Sequence, residues 1–332
     1  METRMDIAYL ILAHDQPAHL RELIARLSTP DSHFYIHIDR KSRLADFSLP
    51  ANPRVHVLQQ RARVFWGDYS QVEAIVSLMR AALSQPGPAH ARFVLLSGSD
   101  YPVRSNAFIH QFFQAHADME FINLTPMPSA DGSKPLSRLA TYQPRKTASR
   151  VVNRLKRTAQ GVGLLPRQRD FGPALGRLKP YGGSQWWALT RPAVAYVLDF
   201  MDAHPAYVDF YRNTVVPDES CFHTILGNSP FAALAQRSLT YADWSRRRQS
   251  PEYLSLAHAQ FLTANPSHPP STDFPQGMPF LFARKFSTQS RELLRLLNAS
   301  LDGKPQARDA VARANPGNPG AGRPMASASR VN

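Results

Sequence analysis

The chain has 332 residues, of which 43% are hydrophobic, 10% aromatic and 19% charged, a composition that allows a large core and excludes a largely disordered protein. Its formal net charge of +14 predicts an anionic partner, and nucleic acid, a phosphate-bearing substrate and an acidic membrane surface all satisfy that condition. The single cysteine, Cys221, excludes an internal disulfide framework and fits a reducing compartment, so we expect a cytoplasmic location.

The sequence contains no apolar run long enough to cross a bilayer. The apolar stretch near the N-terminus, residues 7–13, is short for a signal peptide and lacks a small-residue cleavage site. We therefore predict that it forms the first buried strand.

Strand-like and helix-like patterns alternate along the first hundred residues. The predicted elements are strands at 7–14, 34–39 and 55–59, helices at 18–27 and 69–83, and a buried strand at 93–102 that ends in a glycine-containing loop. This rhythm predicts an α/β fold with a mostly parallel central sheet and helices on both faces. Ligands of such sheets bind at the carboxyl ends of the strands, so we expect His14, Asp39 and Asp100, each at the end of a predicted strand, on one rim.

The pattern weakens from 125 to 180, where we expect a basic, partly mobile excursion that includes a weakly structured stretch at 145–157. Regular structure resumes at 182–201 with a glycine turn, a short aromatic strand and a helix, and a further helix closes the fold at 290–301. We predict a single domain over residues 1–302. The tail, 303–332, is rich in Ala, Pro, Gly and Arg and is expected to be disordered.

Several familiar motifs are missing from the sequence. There is no GxGxxG, no GxxxxGK[ST] and no zinc-type Cys/His spacing, which argues against a Rossmann dinucleotide site, a P-loop and a structural zinc site. The nearest approach to a metal-holding acid–x–acid pair is Asp118 with Glu120. Because this pair precedes its strand, we expect it on the surface.

A diphosphate leaving group without a metal would need cationic side chains, and the stretch FARKF supplies two of them. Arg284 and Lys285 are adjacent and lie between Phe282 and Phe286, which are expected to hold them in place. The alternative is an edge strand with solvated charges.

Aromatic residues stand beside glycines in two places, FWGDYS and GGSQWW. Trp66, Trp186 and Trp187 therefore offer flat rings for a base or a sugar. His14 and His37 are also compatible with hydrogen-bonded core histidines.

The stretch VVPDESCFHTIL places two carboxylates directly after a proline. An acid in the first turn of a helix stabilises it by about 0.3–1 kcal/mol, and Pro217 fits a helix start. Either Asp218 or Glu219 satisfies that role, which leaves the other for chemistry. We predict that Cys221 and His223 are packing residues rather than a catalytic pair.

Seven segments, taken in order, resemble the core-2/I-branching β-1,6-N-acetylglucosaminyltransferases and the related peptide O-xylosyltransferases. They extend over residues 7–290 and are AYLILAH, FYIHIDRKS, VFWGDYS, FVLLSGSDYPVRS, GGSQWWALTRPAVAYVL, VVPDESCFHTILGNSP and PFLFARKF. The fifth and sixth segments and FARKF are closer to the xylosyltransferases.

The resemblance implies a GT-A-type fold and an inverting, metal-independent glycosyltransferase that needs no cofactor. The donor would be a UDP-sugar that carries N-acetylglucosamine or xylose. The acceptor would be a hydroxyl of a glycan, a lipid-linked glycan or a protein.

By position, the resemblance implies Glu219 as the general base, with Asp100 as its rival. The implied UDP-binding residues are His14, Asp39, Trp66, Lys285, Arg284 and Arg237. In a register closer to the xylosyltransferases, Thr240 takes the place of Arg237. The sugar or acceptor pocket is assigned to Trp186, Trp187 and Asp218. No metal site is expected.

Two other classes of function stay open, namely a basic nucleic-acid-binding protein and a catalytically silent sugar-binding module. The basic stretches do not interleave aromatic residues as a stacking surface for bases would, so no specific nucleic acid is expected. The net charge leaves open a peripheral contact with an acidic membrane surface, at the inner face of the membrane.

Overall fold

A computed structural model describes residues 5–85, 89–246 and 250–303 of the chain. The strands of these ranges are β1 (Ile7–Ala13), β2 (Ser32–Ile38), β3 (Val55–Val57), β4 (Arg92–Ser97), β5 (Asp100–Pro102), β6 (Glu120–Phe121), β7 (Thr125–Pro126), β8 (Tyr181–Gly182), β9 (Ala188–Thr190), β10 (Ala235–Gln236), β11 (Thr240–Ala242) and β12 (Phe282–Arg284).

The α-helices of the same ranges are α1 (Pro17–Leu27), α2 (Ser70–Ser84), α3 (Asn106–Ala115), α4 (Ser137–Ala140), α5 (Arg150–Gly161), α6 (Gly172–Leu175), α7 (Arg191–Ala203), α8 (Pro205–Tyr211), α9 (Cys221–Gly227), α10 (Ala259–Thr263) and α11 (Arg291–Gly303). Short 3-10 turns lie at Leu44–Asp46, Pro217–Glu219, Pro230–Leu234, Leu256–His258 and Thr288–Ser290.

The largest sheet has seven strands in the order β10-β6-β9-β4-β1-β2-β3. Strands β1, β2, β3 and β4 run parallel to their neighbours among themselves, and so do β10 and β6, whereas β9 is antiparallel to both β4 and β6. The predicted α/β fold with a mostly parallel central sheet is therefore confirmed.

The core lies on both faces of this sheet because side chains alternate along its central strands. In β1, Ile7, Tyr9 and Ile11 enter one cluster, which also takes buried residues of α1, α3 and α11. Ala8 and Leu10 enter the opposite cluster, together with buried residues of α2, α7 and α9. Helices therefore cover both faces, as predicted.

The stretch at 93–102, predicted as a buried strand that ends in a glycine-containing loop, forms such a strand and then a second strand in a different sheet. After β4 the chain turns at Gly98 and continues as β5, which joins a three-stranded sheet in the order β11-β12-β5. The small sheet attaches the C-terminal part of the chain to the rim of the large one, at the carboxyl end of β4.

The stretch at 145–157, expected to be weakly structured, lies largely in helix α5. The helix begins after Ser149, whose side chain accepts a hydrogen bond from the Val152 amide and so satisfies one of the donors that a helix start exposes. The predicted disordered tail lies outside the described residues, apart from Gly303 at the end of α11.

The expected surface position of the acid–x–acid pair is wrong for Glu120. Asp118 is exposed, but the Glu120 carboxylate is buried and accepts hydrogen bonds from the amide and hydroxyl of Thr190. A two-residue strand, β6, carries Glu120 into the sheet beside β9, which supplies the partner.

In the part of the chain that the structure describes, no helix is both long enough and apolar enough to span a bilayer.

Arg92 lies at the start of β4, fully buried between Phe113 and Phe121. Its guanidinium donates to the carbonyls of His116, Ala117 and Met119, which follow the end of α3. One buried side chain thus donates to three backbone carbonyls of the partly buried segment that follows α3.

Replacing Arg92 by Met is expected to lower the free energy of unfolding by about 3 kcal/mol, because the charged hydrogen bonds from the guanidinium to the three carbonyls are lost. Urea unfolding measures this change. The matched change Arg295→Met, at an exposed position of α11, should stay within about 0.5 kcal/mol of the wild type. Equal effects of the two substitutions would contradict the role given to Arg92.

Candidate active site

A cavity of about 710 Å³ opens at the carboxyl ends of β1, β2 and β4, where a doubly covered parallel sheet binds its ligands. Most of the residues singled out from the sequence line it, namely His14, Asp39, Trp66, Trp186, Asp218, Glu219, Arg284 and Lys285. A second groove, of about 780 Å³, lies beside α5 and is lined by none of them. The 710 Å³ cavity is therefore the candidate active site.

Three predicted site residues lie outside this lining. Trp187 is buried in the core against Phe222, so it is a packing residue and not a wall of the sugar pocket. Arg237 is exposed, whereas Thr240, its counterpart in the alternative register, lines the cavity. Asp100 is fully buried.

One end of the cavity is built by the residues that follow β1 and β2. The Asp39 carboxylate accepts a hydrogen bond of 2.9 Å from the Lys41 amide and lies 3.2 Å from the Lys41 ammonium. The His14 side chain is largely exposed to solvent and lines the cavity. His37 also lines this end and accepts from the Ala62 amide at 2.8 Å, while burial lowers the pKa of the imidazole and keeps it neutral.

The cationic side of the cavity is held by β12. Arg284 lies opposite Asp100 in the antiparallel pairing of β12 with β5, and its Nε is 3.2 Å from Asp100 Oδ1. The guanidinium also stacks over Trp186, 4.0 Å from the ring centroid. The next residue, Lys285, has its ammonium 5.2 Å from the ring centroid of Tyr253. Arg284 is therefore held by Asp100 and Trp186, and Lys285 lies over the Tyr253 ring; these contacts differ from the expected ones to Phe282 and Phe286.

Asp100 is the buried carboxylate that pairs with Arg284 on this cationic side of the cavity. One carboxylate oxygen accepts from the Ser97 amide at 2.9 Å, and the other faces Arg284. Burial raises the pKa of Asp100 to about 6, although Arg284 and the Ser97 amide both favour the ionised form. Because Asp100 has no exposed surface, an acceptor hydroxyl does not reach it in this structure.

Glu219 is held by two cations that sequence reasoning missed. Its Oε2 accepts from Lys134 at 2.5 Å and from Arg138 at 2.7 Å. Burial opposes ionisation, but the two cations outweigh it and hold the pKa of Glu219 below its ordinary value. Within the described residues, Oε1 makes no hydrogen bond. Glu219 is thus an anion with one oxygen free towards the cavity.

The backbone that presents the two carboxylates is strained. Val216 has a φ of 49°, in the left-handed region that β-branched residues rarely adopt, and it lines the cavity directly before Pro217. The residues Pro217–Glu219 form a 3-10 turn, and α9 begins only at Cys221. Both acids therefore lie in the first turn of this short 3-10 helix, directly behind Pro217 as expected for Asp218, and both precede α9.

Asp218 differs from Glu219 in having no cation paired with its carboxylate among the described residues. Its side chain is almost completely buried, and Oδ1 has no hydrogen-bond partner in the described parts of the chain. Burial, and secondly the charge of Glu219, raise the pKa of Asp218 to about 7. One carboxyl group of the pair is thus kept ionised, while the other is readily protonated near neutral pH.

The glycines of GGSQWW bring a second segment against this turn. Gly183 donates to the Glu219 carbonyl at 2.9 Å, and its own carbonyl accepts from Lys134 at 2.8 Å. A Cβ at this position would overlap the Asn123 carbonyl and lie 2.6 Å from the His223 ring, so only glycine fits.

Cys221 and His223 are both fully buried, as expected of packing residues. His223 shares a hydrogen bond of 2.9 Å with the Ser184 carbonyl, and burial lowers the pKa of the imidazole to about 4. Cys221 packs in the core, and His223 holds the backbone at Ser184, which lines the cavity.

Across residues 5–85, 89–246 and 250–303, no group of three or more His, Cys, Asp and Glu side chains is arranged to hold a metal ion. The lysine and arginine side chains that line the cavity are Lys41, Lys134, Arg284 and Lys285, and carboxylates such as Asp39 and Glu219 line it as well.

Comparison with known proteins gives a family match over most of the chain. The Core-2/I-branching enzyme family matches residues 7–264. Xylosyltransferase 2 of Canis lupus familiaris is 29% identical over 310 residues, and the human Xylosyltransferase 2 is 28% identical over the same length. Each alignment covers 90% of this chain but 34% of the relative, so the chain spans about a third of the length of these proteins.

The crystal structure of mouse Xyloside xylosyltransferase 1 in its apo form aligns with 85% of this chain and 99% of that chain. The sequence identity is 11% and the TM-score is 0.36, which is too distant a likeness to bear on function. The family match agrees with the resemblance seen in the sequence, and the chain belongs to the Core-2/I-branching enzyme family.

Replacing Asp218 by Asn is expected to stabilise the protein above neutral pH. A raised carboxyl pKa means that folding disfavours the ionised form of Asp218. The resulting loss of stability is therefore complete above about pH 7, and it fades as the pH falls towards the pKa that Asp218 has in the unfolded chain. The melting temperature of Asp218→Asn should exceed that of the wild type by on the order of 5 °C at pH 8 and by much less at pH 5.

Asp209→Asn is the matched control, since Asp209 is exposed and pairs only with Arg212 on the surface. It should change the melting temperature little at either pH. A gain for Asp218→Asn that is the same at pH 8 and pH 5 would contradict the raised pKa.

Proposed function

Because the chain belongs to the Core-2/I-branching enzyme family, we propose that it is a glycosyltransferase that moves a sugar from a UDP-sugar to an acceptor hydroxyl. The transfer is a single inverting displacement that leaves a β-linked product, and it needs no metal ion. The observation that carries the proposal is the composition of one cavity, which gathers an ionised carboxylate with a free oxygen and two adjacent fixed cations.

Glu219 is the general base in this proposal. Its Oε1 takes the proton of the acceptor hydroxyl while that oxygen attacks the anomeric carbon of the sugar. The bond between the anomeric carbon and the phosphate oxygen breaks, and UDP leaves with the bonding electrons. Lys134 and Arg138 keep Glu219 ionised and fix its orientation, so the carboxylate is ready at any pH near neutrality.

Lys285 and Arg284 neutralise the charge that develops on the departing diphosphate. Fixed cations in a site shielded from water stabilise such charge more than mobile ones do. Burial, and secondly the charge of Arg284, lower the pKa of Lys285, which indicates that this ammonium gains from an incoming anion. Metal independence is proposed on the strength of these two cations.

Asp100 is proposed as a positioning residue for Arg284 rather than as the base. The carboxylate is buried beneath the guanidinium and fixes it over Trp186. His14 and Asp39, at the other end of the cavity, are proposed to bind the uridine, with Trp66 as a ring at the cavity wall.

The donor is proposed to be UDP-xylose or UDP-N-acetylglucosamine, and the names of the xylosyltransferase relatives favour xylose. The acceptor is a glycan, a lipid-linked glycan or a protein. A cytoplasmic location is proposed because the single cysteine suits a reducing compartment.

Replacing Glu219 by Gln is expected to lower the rate of UDP release from the donor by a factor of roughly 10² to 10⁴, since the acceptor loses its base. UDP affinity, measured by calorimetry, should change by less than about threefold, because Glu219 is not assigned to UDP. Glu292→Gln, at an exposed position of α11, is the matched control and should leave both quantities unchanged. Retention of most of the turnover by Glu219→Gln would rule out the assignment of the base.

Replacing Lys285 by Met is expected to weaken UDP binding in EDTA by a factor of roughly 10 to 100, because a fixed cation at the diphosphate is lost. Calorimetry in EDTA gives the dissociation constant. Lys179→Met is the matched control, because Lys179 is exposed and does not line the cavity, and this variant should bind UDP like the wild type. Binding of UDP by the wild type only after Mn²⁺ is added would sink the metal-free proposal.

A further inference from the structure

Helix α5 carries its apolar side chains on the outside. None of its residues is buried. Val151 is 68% exposed and Leu155 63%, and just beyond the helix Val162 is 68% and Leu164 79% exposed. Large apolar side chains of a surface helix normally face the core, whereas those of α5 face the solvent.

The side of α5 that faces the protein is polar. Asn153 donates to the Thr147 carbonyl at 2.7 Å, Lys156 to the Arg145 carbonyl at 2.8 Å, and Gln160 to the Tyr142 carbonyl at 2.9 Å. These three residues recur at intervals of three and four and therefore share one face of the helix. Polar contacts attach α5 to the segment before it, which leaves its apolar side free for another partner.

The apolar side chains form a stripe. Val151, Leu155 and Val162 are spaced by four and seven residues, so they follow one another along a single face. Thr158, which has no charge, occupies the gap in that spacing. Among the other described segments, exposed large apolar side chains also gather at Tyr253, Leu256 and Phe261, but these lie across a loop, a 3-10 turn and the short helix α10 and do not form one helical face.

Arginines accompany the stripe. The side chains of three arginines, Arg150, Arg154 and Arg157, make no ion pair or hydrogen bond in the ranges that the structure covers. Arg145, by contrast, pairs with Glu73 and Asp68. Their spacing of four and three places them on a neighbouring face of the same helix. Acidic residues do not occur between 132 and 169, so nothing in the local sequence offsets these charges.

We propose that α5 docks on an anionic phospholipid surface. The stripe of Val151, Leu155 and Val162 enters the boundary between head groups and acyl chains, and the three arginines meet the lipid phosphates. Charge selects this occupant over a second copy of the chain, because face-to-face pairing of two such helices would bring unpaired arginines together. The docking itself does not depend on the proposed function.

The experiment is vesicle flotation with the full chain. Vesicles of phosphatidylcholine with roughly one-third phosphatidylglycerol are compared with vesicles of phosphatidylcholine alone. The wild type should float with the anionic vesicles and not with the neutral ones, and the bound fraction should fall when salt is raised. Failure of the wild type to float with the anionic vesicles would overturn the proposal.

The double variant Val151→Asp/Leu155→Asp should reduce flotation by a factor of about ten or more, because the stripe then resists burial. Leu234→Asp is the matched control, since Leu234 is an exposed leucine of another segment, and it should float like the wild type. Both variants should keep the wild-type melting temperature and the wild-type response to UDP, because the changed positions are exposed and lie outside the cavity.

The arginines are tested separately by Arg150→Gln/Arg154→Gln/Arg157→Gln. This variant should lose most of the preference for anionic vesicles while its stripe is intact. Flotation of the double Asp variant at the wild-type level would overturn the proposal. So would a change of oligomeric state in that variant, on size exclusion, without any loss of flotation, because a second copy would then be the occupant.

Discussion

The buried ion pair between Asp100 and Arg284 joins the parts of the candidate active site. Asp100 follows the last central strand of the large sheet, and Arg284 comes from the C-terminal part of the chain, nearly two hundred residues later. Their pairing across β5 and β12 fixes the guanidinium over Trp186 and brings Lys285 to the cavity. A buried charge without its partner is costly, so the pair keeps the small sheet in register with the rim of the large one.

The two carboxylates of the strained turn illustrate how environment separates chemically equivalent groups. Glu219 is paired with Lys134 and Arg138, which lower its pKa, whereas the buried Asp218, whose Oδ1 has no hydrogen-bond partner among the described residues, has its pKa raised to about 7. Pairs of titratable groups whose pKa values are driven apart are typical of catalytic sites. The strain at Val216 is consistent with a turn that is shaped for the position of these groups rather than for stability.

Much of the architecture follows from local patterns in the sequence. Parallel strands end on one rim, which is why His14 and Asp39 could be assigned to a common site, and the family resemblance agrees with the family match. Trp186 and Trp187 could not be told apart, because neighbouring side chains of an extended segment face opposite sides and the sequence does not reveal which faces the core. Lys134 was missed because its contact with Glu219 spans 85 residues and leaves no local pattern. Helix α5 was missed because charged and polar residues outnumber the apolar ones along it, so its periodicity was not recognised.

The central claim is an inverting transfer from a UDP-sugar without a metal, and the product of the reaction tests it most directly. The protein would be incubated in EDTA with UDP-xylose and, separately, with UDP-N-acetylglucosamine and a panel of acceptors, while UDP release is followed. The anomeric configuration of the product would then be read by NMR. The account predicts UDP release in EDTA and a β-linked product. An α-linked product, or transfer that begins only when Mn²⁺ is supplied, would contradict it.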